Sequence, residues 1–172
     1  PIVHTSGAVS LAQITIGNAA AGVFYPLQTF SKIRELNFWQ VPVCIEASSE
    51  QLGEQLTQLA QTVSNHVYQV NSDQRKVLHL AAVFACNFPN YLYNIAQQIT
   101  AQHKLPFDLL RPLIAETAAK VQEALPADVQ TGPAVRQDES TMATHLHLLQ
   151  GEPQLQQIYE LLSQGIIKMK QA

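Results

Sequence analysis

Residues 41–70, VPVCIEASSEQLGEQLTQLAQTVSNHVYQV, decide the fold of this 172-residue chain, because they pattern as a strand, a helix and another strand in succession. The apolar opening favours a strand, and Pro42 indicates either an edge strand or a strand that begins there. A serine cap, Ser48 or Ser49, then precedes leucines at helical spacing. The stretch closes on a β-rich run, 67–70. This succession is typical of an α/β layer.

Two more strands are predicted before this stretch. Residues 2–5 (IVHT) are β-rich and stop at Ser6-Gly7, and residues 22–25 (GVFY) are ended by Pro26. The four strands together predict an α/β layer with mainly parallel pairing. Because the chain starts directly in a strand and without a methionine, we expect it to be the C-terminal portion of a longer protein.

After residue 70 the pattern becomes entirely helical. A cap at Ser72 or Asp73 opens a long predicted helix that Pro89 kinks or breaks. Three more helices are predicted, over 107–124, from Asp138 to 149, and over 154–170. We therefore predict two domains, 1–70 and 71–172.

Composition limits the class of protein. Hydrophobic residues make up 47% of the chain and charged residues 13%, which favours a buried core and excludes intrinsic disorder. The net charge of −3 gives no basic surplus for nucleic acid or an anionic membrane. The apolar runs are too short to span a bilayer. Cys44 and Cys86 provide neither a disulfide framework nor zinc spacing, so we expect a cytoplasmic protein.

Standard cofactor and metal motifs are missing from the sequence. The seven glycines are too dispersed for G-x-G-x-x-G or a P-loop, so the phosphate-binding turn of a dinucleotide fold is not in this chain. His145 and His147 are two positions apart on a predicted helix, where side chains point about 200° apart. We expect no metal site there and interpret both as exposed helix histidines.

The long helix carries an unusual polar face. Its members follow one another by four, four, three and four residues, which keeps them on one side: His79, Val83, Asn87, Asn90 and Asn94. Two interpretations are open. Either the face is solvated, as such residues usually are, or His79 and Asn87 point into a cleft at the domain junction as proton donor and substrate-orienting amide.

Three short segments have the chemistry of ligand sites and equally of ordinary turns. They are Thr5-Ser6-Gly7 after a strand, the run from Tyr25 to Phe30 with Gln28 and Thr29, and Thr131-Gly132-Pro133 near Arg136. Open α/β sheets bind ligands at strand ends through such residues, which are also common turn formers. Spacing alone leaves both interpretations open.

Four segments together resemble one protein family: HTSGA (4–8), VFYPLQTFS (23–31), the helical run 78–88 and QTGPAVR (130–136). They resemble bacterial Rossmann-like oxidoreductase homologues that contain a domain of unknown function, the DUF2520 group. That group is similar to pyrroline-5-carboxylate reductases and, more distantly, to 6-phosphogluconate and 3-hydroxyacid dehydrogenases. The resemblance spans essentially the whole chain.

The resemblance implies a fold and a function. Residues 1–70 would be the C-terminal half of a Rossmann-like dinucleotide-binding sheet. Residues 71–172 would be a helical, 6-phosphogluconate dehydrogenase-like domain that forms a homodimer. The cofactor would be NADP or NAD, with the phosphate-binding loop outside this chain. The expected reaction is hydride transfer to or from a small carbonyl, imine or hydroxy-acid substrate.

The resemblance places Thr5–Gly7, the 131–132 loop and the helix with His79 and Asn87 at the site, and on this basis we expect the following roles. Thr5, Ser6 and Gly7 match the strand end near the nicotinamide. His79 is the expected acid/base and Asn87 the residue that orients the substrate. The expected substrate-binding residues are Gln28, Thr29, Thr131, Gly132 and Arg136.

One departure from the relatives leaves alternatives open. The substrate-loop sequence of the pyrroline-5-carboxylate reductases is not present, so we expect a substrate outside proline metabolism. A non-catalytic ligand-binding or dimerisation protein on the same fold, or a purely structural homodimer, is the alternative.

Overall fold

Four short strands form one mixed sheet in the computed structural model, which describes residues 1–171. The strands lie in chain order across the sheet: β1 (Ile2–His4), β2 (Ala21–Pro26), β3 (Val43–Ala47) and β4 (Val67–Gln69). β1 and β2 are parallel, as are β3 and β4, whereas β2 and β3 are antiparallel. The mainly parallel arrangement is therefore confirmed, with one antiparallel pair in the middle of the sheet.

The connections explain these directions. Parallel neighbours need a crossover, which helix α1 (Glu50–Gln61) provides between β3 and β4. The segment between β2 and β3 turns back instead, and the Leu27 N–H closes it by donating to the Pro42 carbonyl at 2.8 Å. β3 begins directly after Pro42 and is an inner strand. Of the two predictions for that proline, the strand start is confirmed and the edge strand is wrong.

The apolar core of the sheet lies under α1. Ser49 caps this helix by accepting a hydrogen bond from Leu52 N at 3.4 Å. Leu52, Leu56 and Ala60 recur every four residues and are buried against β3. Burying one leucine side chain contributes about 1.5–3 kcal/mol. This layer fixes the sheet and so positions the ends of its strands.

The long helix is divided in two. α2 (Ser72–Ala82) begins two residues before its predicted start at Gln74. The cap is Asn71 in place of Ser72 or Asp73, because the Asn71 side chain accepts hydrogen bonds from two N–H groups of the first turn. A π-helical turn, Val83–Asn87, separates α2 from α3 (Phe88–Gln102). Pro89 lacks the N–H that would bond four residues back, so the predicted disturbance takes the form of this turn.

Three further helices follow: α4 (Arg111–Glu123), α5 (Glu139–Leu148) and α6 (Pro153–Gln171). The helix predicted from residue 107 starts as a separate 3₁₀ turn, and Pro112 lies in the first turn of α4, where proline is tolerated. Asp138 caps α5 as predicted, accepting a hydrogen bond from Thr141 N at 3.0 Å. None of the helices described is long and apolar enough to cross a membrane.

The chain divides into two compact units, Pro1–Ile99 and Thr100–Ala172. The first unit contains the sheet and its core. In the second unit, Ala134 is the only apolar side chain that is buried among those the structure describes. The change from sheet to helices falls near residue 71, and the functional division predicted there stays a prediction.

Candidate active site

Three elements of the first unit meet at Gly7, in the loop that follows β1. A Cβ atom added to Gly7 would lie 2.9 Å from His79 Nδ1 on α2 and 2.9 Å from the Tyr25 hydroxyl on β2. Both distances are shorter than real Cβ contacts, so glycine allows this loop to approach both rings. The loop predicted for the cofactor is therefore adjacent to the predicted acid/base.

Tyr25 and His79 form a hydrogen-bonded pair. The Tyr25 hydroxyl is 3.3 Å from His79 Nδ1, and the rings meet edge to face with centroids 6.5 Å apart at 75°. Tyr25 is half-buried, whereas His79 is exposed. The pair is thus a phenol that is hydrogen-bonded to a water-exposed imidazole.

The surroundings of Tyr25 favour its protonated form. Burial raises the pKa of Tyr25, the neighbouring Cys44 raises it further, and the charge of Arg75 opposes both. Cys44 lies opposite Tyr25 on β3, and burial likewise raises the pKa of its thiol. Both groups therefore keep their protons at neutral pH. The Tyr25 hydroxyl is a proton donor under those conditions.

A buried ion pair lies one helical turn before His79. Arg75 is 1% exposed and Glu46, on β3, is 16% exposed, and Arg75 Nη1 donates to Glu46 Oε2. The Ser72 hydroxyl donates to the same carboxylate oxygen at 2.8 Å. Arg75 Nη2 donates to the Val9 carbonyl at 2.6 Å. These bonds tie the loop after β1 to the start of α2 and to β3.

The ion pair sets the protonation of its neighbours. Burial raises the pKa of Glu46, but hydrogen bonds from Arg75 and Ser72 outweigh it, so the pKa lies below its ordinary value. Burial and the charge of Arg75 lower the pKa of His4, against an opposing effect of Glu46. His4 is therefore uncharged at neutral pH, and its Nδ1 accepts a hydrogen bond from Ser6 N at 3.0 Å.

Thr5, Ser6 and Gly7 follow β1 as predicted. The Ser6 hydroxyl oxygen accepts hydrogen bonds from Ala8 N at 3.2 Å and Val9 N at 3.3 Å, so it shapes the turn. Thr5 is exposed. Turn chemistry accounts for Ser6, whereas the side chain of Thr5 is open to a ligand.

Gln28 and Thr29 lie beyond the end of β2, where they line a pocket of about 290 Å³. Gln28 Oε1 accepts a hydrogen bond from Thr29 N at 2.8 Å. Ser31 and Arg34 line the same pocket. The pocket therefore presents hydroxyl, amide and guanidinium groups, which suit an anion or a carbonyl oxygen.

Asn87 ends the π-helical turn and is exposed, as are Asn90 and Asn94. These three amides fit the solvated interpretation of the polar face. His79 departs from that interpretation because it is bonded to Tyr25. The π-helical turn also changes the spacing from which His79 and Asn87 were predicted to share one face.

Thr131, Gly132 and Arg136 belong to the second unit and are described within it. Gly132 has φ of 115°, in the left-handed region that favours glycine. Hydrogen bonds from Thr141 hold the pKa of Asp138 below its ordinary value, and the charge of Arg136 adds to this. Turn and cap chemistry thus account for this loop, and its binding role stays a prediction.

The interpretation of His145 as an exposed helix histidine is wrong. Its Nδ1 is 2.9 Å from the hydroxyl of Tyr159, and the edge-to-face pair joins α5 to α6. His147 is exposed, as expected. Within residues 1–171, no group of three or more His, Cys, Asp or Glu side chains is placed to hold a metal ion.

Sequence reasoning does not find Tyr25, Arg75 or Glu46 as site residues. Tyr25 lies in a run whose polar strand end is equally typical of a turn. Charged residues are ordinarily exposed, so nothing in the spacing marks a buried arginine. A glutamate that follows directly on the apolar run of β3 is the one signal available for the ion pair.

Comparison with known proteins places the chain in context. A family model described as "Domain of unknown function (DUF2520)" matches residues 41–166. The crystal structure of "putative NADP oxidoreductase BF3122" from Bacteroides fragilis is 48% identical in sequence, with a TM-score of 0.93. The match covers 96% of this chain and 64% of that one. The chain thus spans somewhat less than two thirds of this neighbour's length.

A more distant structure has the same fold. Protein TM1727 from Thermotoga maritima is 20% identical, with a TM-score of 0.80 over 98% of this chain and 68% of that one. No curated protein matches the chain. The family model confirms the predicted family. The two structures confirm the predicted fold class, a Rossmann-like α/β layer followed by a helical region.

Proposed function

Because the chain belongs to the DUF2520 family, we propose that it is part of an NADP-dependent oxidoreductase. The reaction is hydride transfer to or from a small carbonyl, imine or hydroxy acid. The observation that carries the proposal is the Tyr25–His79 pair seated on Gly7, beside the carboxyl end of β1. Open α/β sheets bind ligands at that end of their strands. The NADP oxidoreductase name of the Bacteroides fragilis neighbour supports the same class.

The loop after β1 is the binding site we propose for the nicotinamide group. Gly7 has no Cβ and so lies close against the Tyr25 and His79 rings, and Thr5 is exposed. The Ser6 N–H donates to His4 Nδ1 and the Val9 carbonyl accepts from Arg75 Nη2, which holds the loop backbone in place. Thr5, Ser6 and Gly7 would hold the nicotinamide end of NADP, or of NAD. The bound nucleotide supplies or accepts the hydride. We propose that the glycine-rich phosphate turn lies outside this chain.

The other roles follow from position. His79 is the source of the transferred proton, because an imidazole can both accept and donate a proton and this ring is exposed to water. Asn87 orients the substrate from the same helical segment. We propose Gln28 and Thr29, in the first unit, as polar contacts to the substrate. For Thr131, Gly132 and Arg136, in the second unit, the proposed substrate role rests on the family resemblance alone.

Two measurements on the complete natural protein test this function. The first is titration with NADPH and NADH. The second is oxidation of NADPH in the presence of 2-oxo acids, aldehydes and cyclic imines, and reduction of NADP⁺ by 2-hydroxy acids. For the natural protein we expect nucleotide binding and turnover of at least one of these substrate classes. For His79→Gln we expect kcat to fall by about 10²-fold or more. Binding without any turnover would favour the non-catalytic alternative, and absence of binding would refute the nucleotide role.

We also propose that the protein forms a homodimer through its helical part. Five large apolar side chains between residues 77 and 91, here called the apolar stripe, are 46–68% exposed: Val77, Leu80, Phe84, Phe88 and Tyr91. Phe84 and Phe88 contact each other edge to face, so the π-helical turn does not separate them. Exposed apolar side chains in such number ordinarily mark an interface. A second copy of the chain would bury the apolar stripe, in the self-complementary manner of a two-fold dimer.

The compartment is inferred from the thiols. Cys44 and Cys86 are both free, and Cys86 is exposed. Free thiols suit a reducing environment. We propose the cytoplasm on this basis.

A further inference from the structure

We propose that the Tyr25 hydroxyl is the group that hands the proton to the substrate, and that His79 acts behind it by renewing that proton from water. This inference rests on the proposed oxidoreductase function. It makes Tyr25 the catalytic acid and His79 its relay.

The hydrogen-bonding capacity of the two groups decides their order. His79 Nδ1 has a single bonding position, and the contact with Tyr25 at 3.3 Å occupies it. A phenol oxygen can accept one hydrogen bond and donate another at the same time. Tyr25 can therefore receive a proton from His79 while it gives its own to a third group.

The exposure of the pair supports the same direction. His79 is exposed, so its second ring nitrogen can exchange protons with water, whereas Tyr25 is half-buried. The Tyr25 hydroxyl also lies against the loop proposed to face the nicotinamide, 2.9 Å from the position of a Cβ on Gly7. The path from solvent thus runs inward through the imidazole to the phenol.

Three groups face Tyr25, and their effects on its protonation differ. They are the neutral Cys44 thiol on β3, and Arg75 and His79 on α2. Burial raises the pKa of the phenol, so the proton is present at neutral pH. The positive charge of Arg75 opposes this shift and favours the phenolate during transfer.

The step balances as follows. The substrate carbon receives a hydride, that is, two electrons and one proton, and its C=O or C=N π bond breaks. The oxygen or nitrogen takes the proton of the Tyr25 hydroxyl. The phenolate takes the Nδ1 proton of His79, and His79 takes one proton from the solvent at its other nitrogen, which leaves the ring as the Nε2–H tautomer. Proton exchange with water then restores the Nδ1–H tautomer, so each turnover consumes one solvent proton and the protein returns to its starting state.

The test uses the complete natural protein. Its substrate is the 2-oxo acid, aldehyde or cyclic imine that the protein reduces fastest. We expect Tyr25→Phe to lower kcat by about 10²–10⁴-fold, with the dissociation constant for NADPH unchanged. Tyr159→Phe is the matched control, because it removes the hydroxyl of the other tyrosine–histidine pair, at 2.9 Å from His145. Retention of at least one third of kcat by Tyr25→Phe would overturn the inference and leave the oxidoreductase function standing.

Two readouts separate proton transfer from simple packing. With 3-fluorotyrosine at position 25, which has a more acidic phenol, we expect the basic limb of the pH–rate profile to move to lower pH. An unmoved limb would overturn Tyr25 as the acid. The fluorine resonance of the same protein reports ionisation of this phenol without turnover. If His79→Gln leaves that titration unchanged, the relay role of His79 is overturned. If the natural protein turns over none of the substrates tested, the proposed function and this inference are both refuted.

Discussion

Arg75 and Glu46 form a buried ion pair that joins the start of α2 to β3, one helical turn from His79. The same guanidinium holds the carbonyl of Val9 in the loop after β1. The pair therefore fixes the distance between two of the elements that meet at Gly7. The Ser72 hydroxyl also lies within hydrogen-bond distance of both oxygens of the Glu46 carboxylate.

Removal of one partner of this pair is expected to be strongly destabilising. Arg75→Met leaves the largely buried Glu46 carboxylate without its counter-charge and with the Ser72 hydrogen bonds only, which costs about 3–5 kcal/mol of unfolding free energy. Urea denaturation at neutral pH measures this. The control is Lys76→Met, whose ion pair with Asp73 is exposed on both sides and contributes less than about 1 kcal/mol. Equal losses in the two variants would show that the buried pair does not hold α2 on the sheet.

Stability is expected to fall in two steps as the pH is lowered. The pKa of His4 is below its ordinary 6.5 in the folded protein. Below about that pH the unfolded chain binds a proton that the folded chain does not, so unfolding free energy is lost. The pKa of Glu46 is likewise lowered from 4.5, and its contribution is lost as the pH falls below that value.

His4→Asn separates the two steps. An asparagine oxygen can accept the Ser6 N–H in place of Nδ1, but it does not titrate. We expect the variant to keep its unfolding free energy between about pH 6.5 and 4.5, and to lose it only at lower pH. Urea denaturation at several pH values gives both curves. Parallel curves for the variant and the natural protein would contradict the assignment of the first step to His4.

Much of this fold could be predicted from local patterns. The four strands and the helices of the chain follow from β-rich runs, leucine spacing and proline positions. Ser49 and Asp138 were predictable as caps because each is a hydrogen-bonding side chain directly before a helical pattern. Periodicity carries no comparable signal for the π-helical turn, since it depends on how the carbonyls around Pro89 are satisfied.

The site was less accessible to sequence reasoning because it is built from distant residues. Tyr25 and His79 are 54 positions apart, and only the fold brings them together. His79 could be singled out as a polar residue on an apolar helix, but its partner could not. In the sequence, Arg75 cannot be distinguished from a surface arginine. Only the folded structure, in which β3 brings Glu46 next to it, shows that it is paired.

Two glycines are expected to respond differently to alanine. At Gly7 the new methyl group meets the far ends of the Tyr25 and His79 side chains, which can move apart. We expect a small change in stability and a large loss of kcat. At Gly22 it meets Leu56 Cδ1 at 2.7 Å in the packed core, which costs about 1–3 kcal/mol. Thermal unfolding and turnover of both variants test this. Full activity in Gly7→Ala would show that the close approach of the pair is not required.

Phe84→Glu is expected to weaken the proposed dimer. Phe84 lies at the centre of the apolar stripe and is 63% exposed. Its ring packs edge to face against that of Phe88. A charge buried in a two-fold interface meets its own copy or an apolar surface, so we expect a loss of about 2 kcal/mol or more, roughly 30-fold in the dissociation constant. Sedimentation velocity over a concentration series measures it. Asn90→Glu, on the same helix but off the stripe, is the control. If both variants remain dimers at every concentration, the stripe is not the interface.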